Sequence, residues 1–160
     1  MGLADLSSIL WREREMLELL LFKLEEEQLV LAANRTRWLA HATREVEVVL
    51  DQIRRTEVVR AAEAEAVGAE LGLDANPSLA HLAEAVPAPW NTLLRQHRTA
   101  FMALTAEIQA LASANRDLLT AGQRAVRDSV LAMAGSVETY GRRGQHVASG
   151  ARTRLVDEAI

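Results

Sequence analysis

Along the first helix-length stretch of the chain, Leu3, Leu10, Leu17, Leu24 and Leu31 fall seven apart, and Leu6 and Leu20 fall three later. Sustained over four heptads, this spacing predicts a helix with an a/d seam. Glu13 and Glu27 interrupt one stripe of that seam, while Trp11, Leu21 and Phe22 widen its apolar face. A helix with so broad an apolar face needs at least two neighbours. Ala32, Ala33 and Asn34 break the pattern, and Asn34 is placed to cap the helix that follows. In that second helix Leu39, Ala42, Val46, Val49, Ile53, Thr56 and Arg60 step alternately by three and four, and the stripe continues to Val67 and Leu71. The short connection sets the two helices antiparallel.

Gly68, Gly72, Asp74, Asn76 and Pro77 end the second helix and mark a loop. Residues 78–86 form a short helix capped by Ser78, and Pro87-Ala88-Pro89-Trp90 is a stiff linker with Pro89 opening the next helix. The third long helix is marked by Trp90, Leu94, His97, Phe101, Leu104, Ile108, Leu111 and Asn115. After Asn115 the phase shifts by one four-residue step, through Leu119, Gly122, Val126, Val130, Met133, Val137 and Tyr140. Such a stutter locally unwinds a supercoil. From Pro89 to Gly135 this helix spans roughly 70 Å, against roughly 45 Å for the first, so it overhangs or packs on something else along part of its length. From Gly141 the periodicity vanishes and glycines mix with Arg142, Arg143, Arg152 and Arg154, which reads as a flexible basic tail. The expected architecture is all-α: an antiparallel coiled-coil bundle of three long helices and one short one, as a single domain over 1–140, with the tail at 141–160.

Composition supports this pattern. Apolar residues make up 49% of the 160 positions but aromatics only 4%, and the Leu, Ala, Val, Glu and Arg excess favours helix. A net charge of −4 is an ordinary solvated surface, so neither nucleic acid nor membrane insertion is expected. The longest apolar run, residues 19–22, is far below the ~20 residues that span a bilayer. No cysteine is present, which removes disulfides and thiol chemistry and fits a reducing compartment. The N-terminus lacks the basic start and apolar core of a signal peptide, so a cytoplasmic location is expected.

Candidate chemistry is sparse. His41, His81, His97 and His146 are scattered with no Glu-x-x-His pair, so no metal or cofactor is expected. His97 falls in the apolar seam and reads as a packed, hydrogen-bonded core histidine. Glu13 and Glu27 read as buried carboxylates needing partners, with Arg60 or Arg116 placed to supply them. No nucleophile, base or phosphate loop accompanies them, so no catalytic residue is assigned and the chain is not expected to be an enzyme. Gly141 and Gly144 are framed by neither a strand nor a helix start, so they are no phosphate cradle. Asn115, polar at a core-like position, either sets register or faces solvent where the stripe changes phase.

The block Asn115-Arg116-Asp117-Leu118-Leu119-Thr120-Ala121-Gly122-Gln123, followed by Tyr140-Gly141-Arg142-Arg143-Gly144-Gln145, resembles the C-terminal signature of the FlgN family. There an Asn-x-x-Leu-Leu helix is followed by a Tyr-Gly/Asp-x-x-Gly element. The leucine-rich first helix ending in Glu27-Gln28-x-x-Leu31, and Arg60 in the second, are similar as well. The linker with Pro87 and Pro89, and the short helix before it, depart from the family pattern. The resemblance implies a cytoplasmic flagellar type III export chaperone with an antiparallel coiled-coil fold. Its partners would be the C-terminal helix of hook-associated proteins of the hook–filament junction and components of the export apparatus.

A chaperone of this kind needs an apolar stripe that its own fold does not fill. The expected partner-binding residues are Leu111, Asn115, Leu118, Leu119 and Gly122, continuing through Val126, Val130, Met133, Val137 and Tyr140. Gly122 permits close backbone approach and Met133 adapts to imperfect packing. Other occupants of the stripe are a short fourth helix or a second copy of the chain in a homodimer. Competing functions are a structural, self-associating coiled coil and a chaperone of another secretion system.

Overall fold

A computed structural model of the chain describes residues 2–141, with side chains described through residue 135. Four helices follow one another: α1 (Leu3–Ala32), α2 (Thr36–Glu70), α3 (Leu79–Ala85) and α4 (Trp90–Gly141). No strand occurs among the described residues. By contact density the chain divides into a compact first unit ending at Leu119 and a second beginning at Thr120.

Cross-contacts fix the topology of the first unit. Glu13 meets Arg60, Thr56 donates to Met16 Sδ, Lys23 meets Glu45 and Thr43 donates to Glu27, so position rises on α1 as it falls on α2. The two are therefore antiparallel. Trp11 touches His97, and Asn115 bonds to Leu24 and Glu27, so α4 runs parallel to α1.

The helix ends show why the chain turns where it does. Asn34 closes α1 rather than capping α2. Its φ is 52°, its N–H donates to Leu31 O at 3.1 Å, and Arg35 N–H donates to Val30 O at 3.0 Å. That pair of bonds is the Schellman motif, and asparagine is among the few side chains that tolerate the left-handed conformation it needs. The expected N-cap is thus corrected: Arg35 occupies that position, with no side-chain cap. Gly72 ends α2 in the same way, at φ 70°, with Leu73 N–H donating to Gly68 O at 2.9 Å. Pro77 then folds back so closely that a Cβ on Gly68 would lie 2.6 Å from its Cγ. Ser78 caps α3, its Oγ accepting from His81 N–H at 3.2 Å.

Two apolar clusters hold the first unit. One gathers Leu6 and Leu10 with Ala64, Val67, Leu82, Ala83, Val86 and Leu94, and the other gathers Leu20, Leu24, Val46, Val49 and Ile53. Ile108, Leu111 and Ala112 of α4 pack against the second cluster. Between the clusters in sequence, on all three long helices, come the buried polar residues Glu13, Glu63 and His97. The short helix α3 contributes Leu82 and Ala83 to the first cluster, which gives the segment between α2 and α4 a packing role.

Candidate functional site

Of the expected partner-binding residues, Leu111 and Asn115 serve the interior of the first unit. Leu111 packs against the Leu20–Ile53 cluster. Asn115 is 3% exposed, and its Nδ2 donates to Leu24 O at 2.9 Å and to Glu27 Oε1 at 3.1 Å. Its position is buried, so the solvent-facing alternative does not hold. Its amide ties α4 to one place on α1, as a polar residue within a seam does when it sets register. Glu27 Oε2 also accepts from Thr43 Oγ1 at 3.2 Å. Glu27 is therefore served by Asn115 and Thr43, whereas Arg116, one step round the helix from Asn115, is exposed.

The remaining described candidates are exposed. In the first unit Leu118 and Leu119 are 38% and 40% exposed. In the second unit Val126, Val130 and Met133 are 65%, 45% and 62% exposed, and a Cβ added at Gly122 meets nothing within 4 Å. Gly122, Val126, Val130 and Met133 follow helical spacing and share one face. Leu131, not among the expected residues, is also exposed. The side chains of Val137 and Tyr140, and the expected tail beyond Gly141, lie outside the described residues.

Among the described residues, several of the buried polar groups lack hydrogen-bond partners. Arg60 Nε lies 2.8 Å from Glu13 Oε2, an ionic contact without the alignment of a linear hydrogen bond. Burial pushes the Glu13 carboxyl above its ordinary range, and the Arg60 guanidinium only partly opposes this. His97 is packed, as expected, but it is not hydrogen-bonded: neither ring nitrogen has a partner among the described residues. Trp11 meets it edge-on with centroids 4.7 Å apart, and Phe101 stacks at 6.0 Å, so its surroundings are largely aromatic. Burial first, and then the nearby Arg14 charge, lowers its pKa below the ordinary histidine value. Glu63 Oε1 is buried and likewise lacks a hydrogen-bond partner among the described residues. Among those residues no group of three or more His, Asp or Glu side chains could hold a metal ion, and no helix is long and apolar enough to cross a membrane.

The four helices and the exposed apolar stripe on α4 define an all-α helical-bundle protein. A family model described as FlgN protein matches residues 1–148, and the chain belongs to the FlgN family. It is a flagellar export chaperone in its general class. No curated protein and no solved structure matches it.

Proposed function

We propose that the chain binds the C-terminal helix of hook-associated proteins and keeps them unassembled and export-competent in the cytoplasm until they reach the export apparatus. The observation that carries this reading is the exposure of Val126 and Val130 on the face they share with Gly122 and Met133. An amphipathic client helix laid along that face covers its own apolar side and the stripe together. Val137 and Tyr140 continue the same spacing. Leu118 and Leu119, exposed in the first unit, are candidate contacts in their own right.

The energetics suit a reversible holder. Burying ~600 Å² of apolar surface contributes about 15 kcal/mol gross. Ordering the client helix and losing rigid-body freedom offset most of it, which leaves micromolar-to-nanomolar binding. The test is calorimetric titration with a hook-associated protein, intact and lacking its C-terminal helix. Val126→Asp and Val130→Asp are expected to abolish binding of the intact client while circular dichroism stays wild-type. Wild-type affinity in both variants would reject this site. Light scattering that shows a dimer broken by the same variants, with no client bound, would favour the self-associating coiled coil instead.

A further inference from the structure

The apolar core of the first unit is interrupted partway along its length. The cluster around Leu6 and Leu10 lies at the end where α3 packs, through Leu82 and Ala83. The cluster around Leu20 and Leu24 lies at the end where Asn115 bonds to α1. Between them each long helix turns polar side chains inward. On α1 the core stripe passes from Leu10 to Glu13 before it reaches Leu17. On α2 it leaves Ile53 and runs through half-buried Thr56, half-buried Arg60 and buried Glu63 before Val67. Those are three successive inward positions without an apolar side chain. On α4 the buried His97 follows Leu94.

These side chains form one layer about a turn thick. Glu13 and Arg60 are in ionic contact at 2.8 Å, Glu63 lies one turn along α2 from Arg60, and Trp11, two residues from Glu13, meets the His97 ring. They do not satisfy one another. Glu13 Oε2, Arg60 Nε, Glu63 Oε1 and both His97 nitrogens have no hydrogen-bond partner among the described residues. A buried polar group without a partner costs free energy, and contact with water recovers it. Opening therefore relieves the layer, whereas it costs the apolar clusters on either side their burial. Each end also has its own fastening. Pro77 closes on Gly68 at the α3 end, and Lys23–Glu45 and Asn115 tie the helices at the other. Proteins open in contiguous cooperative units, and a break in apolar packing is where such a unit ends.

We propose that the layer of Glu13, Arg60, Glu63 and His97 is a parting plane, across which the α3 end and the Asn115 end of the first unit open independently. The α3 end can then loosen while Asn115 stays bonded to α1, whatever occupies the stripe on α4. The test is native-state hydrogen exchange of the full chain, read at two ends of one helix: residues 49–53 and residues 64–67 of α2. Leu24→Ala is expected to lower protection at 49–53 by about thirtyfold or more and to leave 64–67 unchanged. Leu82→Ala is expected to do the reverse. If either substitution lowers both groups alike, the first unit opens as one body and the proposal is overturned. A second variant assigns the division to the layer. Glu13→Met, Arg60→Met and Glu63→Met together give the core a continuous apolar path, an exchange that buried ion pairs commonly tolerate. In that background Leu24→Ala should lower protection at both groups. Effects that stay confined to 49–53 there would overturn the role of the layer.

Discussion

Two stretches of α4 carry the same three-and-four spacing and meet opposite surroundings. From Leu94 to Asn115 the stripe is spent inside the first unit: Leu94, His97 and Asn115 are buried, and Phe101, Leu104, Ile108 and Leu111 are half-buried. From Gly122 to Met133 every member of the stripe is exposed. Periodicity decides which face of a helix is apolar, but other elements decide what covers it. In the first unit α1, α2 and α3 supply that cover. The contrast gives the largest expected difference between two substitutions. Leu94→Ala should lower the unfolding free energy by about 3 kcal/mol through lost burial and a residual cavity. Val130→Ala should change it by less than about 0.5 kcal/mol. Urea denaturation of the two variants measures both. Equal losses would mean that the second stretch is packed in solution and that the comparison fails.

Asn115 is the last buried member of the first stretch, and it sharpens the comparison at its edge. Asn115→Ala removes two hydrogen bonds from a buried site and should cost about 1–3 kcal/mol. A double-mutant cycle with Glu27→Ala should return a coupling of about 0.5–3 kcal/mol if the amide holds that carboxylate in solution. Additive losses would show that the Glu27 bond contributes nothing in solution and would leave the cost with packing and the bond to the Leu24 carbonyl.

Most of the architecture was legible because it rests on local rules. The Leu6–Leu10 and Val46–Ile53 spacings are helical seams in any context, and Ser78 before a short apolar run reads as a cap from chemistry alone. Asn34 was misplaced because asparagine serves both helix ends. Only its positive φ, set by how the chain leaves α1, separates the two roles. Glu13 found Arg60, one of its two expected partners, since both sit on facing stripes. Glu27 was less legible, because its partners Asn115 and Thr43 are neutral and nothing in charge patterning points to them. The stripe from Gly122 to Met133 could be read as apolar, but its exposure could not. The exposure of Phe22 was missed for a related reason. Phe22 read as a wider core face, whereas it lies on the side of α1 away from the core and beside Lys23.

His97 gives the smallest and most directional test, at the middle of the buried stretch. Its folded pKa is depressed below the ordinary value of 6.5 because burial against Trp11 and Phe101 disfavours the imidazolium, with Arg14 adding repulsion. For a base with a depressed folded pKa, the unfolded chain binds the proton first. The contribution of His97 is therefore fully present above about pH 6.5, and it is lost as pH falls toward the folded value, at no more than about 1.4 kcal/mol per pH unit. Glu13 runs the other way: its raised folded pKa means that acidification toward 4.5 adds stability as the buried carboxyl takes up its proton. Substituting His97 separates the two. His97→Leu should flatten the loss of stability as pH falls from about 6.5 toward 5, and it leaves the gain from Glu13 in place. Urea midpoints across that range provide the measurement. A wild-type slope retained in His97→Leu would show that another group titrates there and that the buried imidazole is not the proton-sensitive element of this stretch.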